Sequence, residues 1–161
     1  MRGDSLTVGF DCAAPVYDAE MEANPAMRYM RQVSLVTLIS AFAPGQRVLE
    51  IGCGTGVEAA VLAQRSVTIV ATDVSLEMVS RARTRMQRLG LENRVTVHRI
   101  KANQMTDLLP CYGAGTFDGA FSSFGPLNGE PDLGPVASAL AHLVRPGGRL
   151  VVSVMNRCYP F

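Results

Sequence analysis

A chain of 161 residues, 48% of them apolar, can bury a real core within one compact domain, and glycines and prolines scattered along it exclude a fibrous or disordered class. A formal net charge of +1 removes any general electrostatic case for a nucleic-acid or anionic-membrane partner. The four cysteines, Cys12, Cys53, Cys111 and Cys158, form no C-x-x-C pair, so neither a zinc site nor a disulfide framework is expected, and all four are expected to be small buried hydrophobes. Five acids within the first 24 residues (Asp4, Asp11, Asp18, Glu20, Glu22) are unlike a signal peptide, and no apolar run reaches the ~20 residues of a membrane span. A cytoplasmic, reduced protein is expected.

Residues 1–23 show no sustained period and read as a flexible or draped N-terminal segment. Asn24 and Pro25 then form a helix start, a capping side chain followed by proline at the first helical position. The leading helix, 24–43, carries Met27, Met30, Leu35, Leu38, Ile39 and Phe42 near helical spacing and stops at Pro44-Gly45. Strands are predicted at 47–51, 67–72, 95–100, 117–122 and 149–155. Helices are predicted at 55–65, at 75–89 with Leu76, Val79, Ala82, Met86 and Leu89 inward, and at 132–144 with Leu133, Val136, Ala137, Leu140 and Leu143 inward. Pro146-Gly147-Gly148 reads as a turn before the last strand. Strands alternating with amphipathic helices build βαβ units, so the fold class is α/β, a mostly parallel sheet covered on both faces.

The stretch VLEIGCGTG, residues 48–56, carries the first strand into a glycine-rich turn, the place where open α/β sheets bind ligands. Gly52 and Gly54 let the backbone turn tightly and approach a ligand closely. No lysine follows as in a phosphate-binding P-loop, and the spacing G-x-G-x-G differs from the dinucleotide pattern G-x-G-x-x-G. Glu50 would also repel a diphosphate at that turn. A ligand bearing positive charge removes the conflict. Asp73 ends the second strand in IVATDVS, where an acid can accept from both hydroxyls of a ribose. A cation near Glu50 and a ribose near Asp73 describe S-adenosylmethionine.

VLEIGCGTG, TDVSLEM, FDGAFSSFG and LVRPGGRLVVSV, in this order, resemble the class I S-adenosylmethionine-dependent methyltransferases over about residues 45–155. The resemblance implies a three-layer Rossmann-like sandwich in one domain, 1–161, whose core spans 45–155. It also implies methyl transfer from S-adenosylmethionine, leaving S-adenosylhomocysteine; a small molecule is expected as acceptor because the helices carry no long insertion and the net charge is near zero. It places Glu50 and the backbone of Gly52, Cys53, Gly54 and Gly56 at the methionine part of the cofactor, and Asp73 at the ribose. Val74 and Met78 would flank the adenine. Where many members carry Gly-Asp-Ala after the third strand, this chain reads RIKANQM, with Lys101 at the position of the acid. An ammonium only donates, so Ala102 through its N–H, and Asn103 or Gln104 as acceptors, are the candidates for the adenine edge. Ser122, Ser123 and Phe124 fall where the methyl group and acceptor meet, and Tyr17 resembles a tyrosine folded over the cofactor. No catalytic acid or base stands out. A non-catalytic cofactor-binding or partner subunit and an NAD-type oxidoreductase are the rival readings.

His98 and His142 read as structural. Arg81, Arg85 and Arg88, with Arg83 beside them, read as a solvated helix face rather than an RNA-binding patch. The family sheet ends in an antiparallel hairpin after the fifth strand and this sequence stops before it, so a chain truncated at the C-terminus, or else an unusually short one, is expected. If it ends at Phe161, the fifth-strand edge, 150–155, is expected to pair with a second copy or to be covered by the terminal segments.

Overall fold

The computed structural model describes residues 2–154. Five strands, β1 (Arg47–Ile51), β2 (Thr68–Asp73), β3 (Val95–Arg99), β4 (Phe117–Ser122) and β5 (Val144–Val152), form one sheet in the order β3-β2-β1-β4-β5. Every described pairing is parallel. Among the described residues seven helices accompany it: α1 (Arg2–Ala13), α2 (Tyr17–Ala23), α3 (Pro25–Ala41), α4 (Val57–Gln64), α5 (Leu76–Leu89), α6 (Leu109–Tyr112) and α7 (Gly134–Leu143). Chain order reverses at β1, which pairs with β2 on one side and β4 on the other. That switch point opens a crevice at the carboxyl ends of β1 and β4.

Alternate residues of β1 enter opposite layers. Val48 joins Phe42, Leu62, Ile69, Val79, Met86 and Phe121 under α3, α4 and α5. Leu49 and Ile51 join Val70, Met105, Leu108, Phe117, Val136 and Leu143 on the other face. Glu50 shares Val48's face at the last rung but one, where the helices give way to loops. Period-two alternation thus buries an acid at the sheet's working end.

The N-terminal segment is not without secondary structure: α1 and α2 are helices, and α1 packs against α5. Their hydrophobic period is weak, because polar contacts rather than an apolar stripe dock them. Asn24 caps α3, accepting from the N–H groups of Ala26 and Met27 at 3.0 and 3.3 Å. Ser75 caps α5 by accepting from Met78 N–H at 3.1 Å.

Several end positions of the predicted stripes are corrected. Leu76 and Leu89 are 54% and 46% exposed, since the two ends of α5 overhang the sheet. Leu133 precedes α7 and is 49% exposed; Ala137 is exposed and Ala139 buried in its place. A 3-10 turn (Ala102–Leu108) and α6 follow β3, where no element is predicted, and Met105 and Leu108 plug the second layer. Pro146-Gly147-Gly148 is no separate turn but a bulge inside β5, between the pairings Phe117↔Val144 and Gly119↔Arg149. Cys12 and Cys111 are exposed, and of the described cysteines only Cys53 is buried. Met155 and Cys158 lie outside the described residues.

Candidate functional site

A small cleft opens at the switch point, lined by Tyr17, Arg31, Glu50, Gly52, Cys53, Gly54, Thr55, Glu58, Ser123 and Phe124. The turn after β1 forms its floor. Gly52 (φ +71°) and Gly54 (φ +52°) adopt the left-handed conformation, and Gly52 and Cys53 both donate to Thr72 O, at 2.8 and 2.9 Å. The same carbonyl therefore ties the loop to the neighbouring strand.

Glu50 is the electrostatic anomaly. It is 2% exposed, and its Oε2 has no hydrogen-bond partner. Burial drives its pKa well above the usual carboxylate range, with Glu58 and Asp73 adding like-charge repulsion. Such a group is costly unless something arrives to satisfy it. Asp73, also buried, accepts from Gly54 N–H at 2.8 Å and Ser75 N–H at 2.9 Å. Burial raises its pKa, against the lowering effect of those backbone donors. It thus braces the glycine turn as well as standing at the end of β2, and each oxygen keeps a second lone pair.

The predicted residues separate into two groups. Tyr17, Glu50, Gly52, Cys53, Gly54, Ser123 and Phe124 meet in the cleft, and Asp73 is bonded to its floor. The others stand outside it. Gly56 is the left-handed cap of α4, facing Ala82 and Met86. Met78 is a core residue of α5, 2% exposed. Ser122 turns away and donates to Ile51 O at 3.0 Å, so Ser123, its neighbour, lines the cleft instead. Val74 and Ala102 are half-buried, and Lys101, Asn103 and Gln104 are exposed beyond β3.

Several charged side chains around the cleft were not legible as site residues. Arg31, on α3, donates from Nε to Glu58 Oε1 at 3.1 Å. Arg85 is not part of a solvated face: it donates to Thr55 O at 2.8 Å and to Asp18 Oδ2 at 2.6 Å. Thr55 in turn donates to Asp18 Oδ1 at 2.6 Å. Burial by itself would raise Asp18, but the hydrogen bonds from Thr55 and Arg85 outweigh it and hold the carboxyl below its ordinary value. The clasp fixes α2, and with it Tyr17, over Gly54. Asp11 adds a second tie, accepting from Ser75 Oγ and Glu77 N–H. A polar residue on the inward face of a helix, as Arg31 is, was the available signal. Arg83 likewise turns back, onto Val97 O.

Asp18→Ala is expected to cost only about 1 kcal/mol of global stability, since both partners of the ion pair are partly solvated. The larger effect is local. Amide exchange across α2 should accelerate well beyond that of the sheet, and uniform exchange in both proteins would show that the clasp does not hold the segment.

Among the described residues no His/Cys/Asp/Glu group could hold a metal ion, and no helix is long and apolar enough to cross a membrane. The cleft does fit a zwitterionic ligand, with a partnerless buried carboxylate on one side, a guanidinium on the other and a floor of backbone without Cβ atoms between.

Comparison with known proteins agrees with this geometry. A family model described as a methyltransferase domain matches residues 48–148. A ubiquinone biosynthesis O-methyltransferase of Xylella fastidiosa is 40% identical over 114 residues, covering 70% of this chain and 43% of the relative. The chain thus spans less than half the length of that relative. An S-adenosylmethionine-dependent methyltransferase from Geobacter sulfurreducens, solved with S-adenosylhomocysteine, is 26% identical with a TM-score of 0.56, covering 73% of this chain and 46% of that one. A protein of Methanococcus maripaludis superposes with a TM-score of 0.74 over 89% of this chain and 63% of its own; at 17% identity it shows the fold alone. With the glycine turn, its two acids and the family match on the same stretch of chain, this sequence belongs to the class I S-adenosylmethionine-dependent methyltransferases.

Proposed function

We propose that the chain binds S-adenosylmethionine and transfers its methyl group to a small-molecule acceptor. The observation that carries this reading is Glu50 Oε2, buried without a partner beside a glycine cradle. An ammonium is the group that such an oxygen accepts from best. Glu50 would hold the amino group of the cofactor, Arg31 its carboxylate and Asp73 its ribose hydroxyls. The relative's name supports an oxygen as the methylated atom.

The cofactor supplies an activated methyl on a sulfonium, so the reaction needs alignment and exclusion of water more than an acid–base pair. The chain's residues are suited to those two tasks. Burial raises the pKa of the Tyr17 hydroxyl, so it stays protonated and would be available as a donor at the roof of the cleft. Burial likewise pushes the Cys53 thiol well up, helped by the Glu50 and Asp73 charges. A neutral thiol is a poor nucleophile, so Cys53 does not compete with the acceptor for the methyl group.

The test is thermal. S-adenosylhomocysteine at about 100 times its Kd should stabilise the protein by about 2.7 kcal/mol, seen as a rise in Tm of several degrees. NAD should leave Tm unchanged. The reverse pattern would assign the cleft to a dinucleotide.

A further inference from the structure

Phe124 is a non-glycine residue with φ +62°, in the left-handed region that a phenylalanine rarely occupies. Gly125 beside it is also left-handed, at φ +74°, so the chain already has a residue suited to the turn. Strain of this kind persists where the surroundings over-determine it, and it clusters at ligand sites. Here three contacts hold it. Phe124 N–H donates to Ser153 Oγ at 2.7 Å. Ser123 Oγ meets Ser34 Oγ of α3 at 3.0 Å. One turn earlier on α3, the Arg31 guanidinium lies over the Phe124 ring, 5.4 Å from its centroid. Arg31 and Ser34 thus read consecutive residues of the loop after β4 from one face of a helix.

Arg31 spends its Nε–H on Glu58, and no hydrogen bond among the described residues uses Nη1 or Nη2. Its side chain is nonetheless only 14% exposed and lines the cleft that holds the unpartnered oxygen of Glu50. A half-buried guanidinium with both Nη groups idle is held ready for an acceptor.

We propose that Phe124 is a positioning residue for Arg31: its ring, fixed by the left-handed backbone at the end of β4, holds the guanidinium so that its Nη groups can take the carboxylate of the cofactor's amino-acid end. This rests on the S-adenosylmethionine reading above. Without the ring, Arg31 keeps its Glu58 tie but loses the platform that fixes its plane, and the entropy of fixing it falls on ligand binding.

The experiment compares two probes by calorimetry: S-adenosylhomocysteine, and its decarboxylated analogue, which keeps the ammonium but lacks the carboxylate. Phe124→Leu and Phe124→Met keep apolar bulk without a π-face, and Phe124→Tyr restores the ring. In the wild-type protein, removal of the carboxylate weakens binding. In the Leu and Met variants, S-adenosylhomocysteine binding falls by about five- to tenfold while the analogue changes by less than about twofold, and Phe124→Tyr matches wild type with both. Equal losses for the two probes, no loss for either, or a Tyr variant that behaves like Leu would overturn the positioning role. A wild-type protein that binds both probes equally would also overturn it, since Arg31 would not then be reading the carboxylate. Failure of wild type to bind either probe would instead refute the cofactor reading, and this inference with it.

Discussion

Gly52→Ala is expected to cost the fold about 3 kcal/mol and to abolish measurable cofactor binding. Two independent penalties meet at this position. A Cβ placed on Gly52 falls 2.3 Å from Pro126 Cβ and 2.4 Å from Pro126 Cγ, far inside van der Waals contact. Proline is rigid and opens the 3-10 turn Pro126–Gly129, so relief requires backbone movement in the loop after β4. Overpacking of this kind costs about 1–3 kcal/mol. The left-handed φ of +71° adds about 1–2 kcal/mol for any residue with a Cβ. Gly45→Ala supplies the control, because Gly45 has φ +86° and nothing within 4 Å of the point where its new methyl group would stand. It should lose only the backbone share. Urea denaturation of both variants checks the difference; equal losses would mean that the Pro126 contact yields easily.

Glu50→Gln is expected to stabilise the free protein near neutral pH while destroying the pH dependence of ligand binding. The carboxyl is buried, faces the like charges of Glu58 and Asp73, and its Oε2 has no hydrogen-bond partner. Its folded pKa therefore lies well above the ordinary value of 4.5. The unfolded chain releases the proton near 4.5 and the folded chain holds it. The stability linked to this group is thus complete below pH 4.5 and declines as pH rises towards the folded pKa, by up to about 1.4 kcal/mol per pH unit. Glutamine has nothing to release, so the Tm difference between variant and wild type should widen from pH 4.5 upwards. Binding of S-adenosylhomocysteine runs the other way. Its ammonium needs an ionised Glu50, so wild-type affinity should rise by up to about tenfold per pH unit over the same window, with one proton released on binding. Parallel pH slopes in the two proteins, for Tm and for affinity, would show that Glu50 is ionised already in the free state.

These two effects arise from residues only two positions apart, and both residues stand out within the stretch VLEIGCGTG itself. Local geometry is why. A strand, its terminal acid and a left-handed turn follow one another within nine residues, so spacing alone constrains where they point. Asp73 was equally accessible, because parallel pairing of β1 with β2 carries Ile51 alongside Thr72 and leaves the next residue at the mouth of the same turn.

The partners of those residues were decided by the tertiary structure. Arg31 reaches Glu58 across 27 positions, Asp18 reaches Arg85 across 67, and Ser34 meets Ser123 across 89. No periodicity encodes such a meeting; it exists only once α2 and α3 lie across the switch point. The same holds for the choice between Ser122 and Ser123. Both stand at the end of β4, and the pleat alone turns the first inward to Ile51 O and the second into the cleft. By itself the sequence determined the fold class, the cofactor family and the floor of the site, since these rest on short-range pattern and strand-end chemistry. Only the folded chain decided which charges close the cleft, because long-range side-chain contacts depend on how helices pack, and the arginine stripe of α5 has the same spacing whether its members meet water or an aspartate.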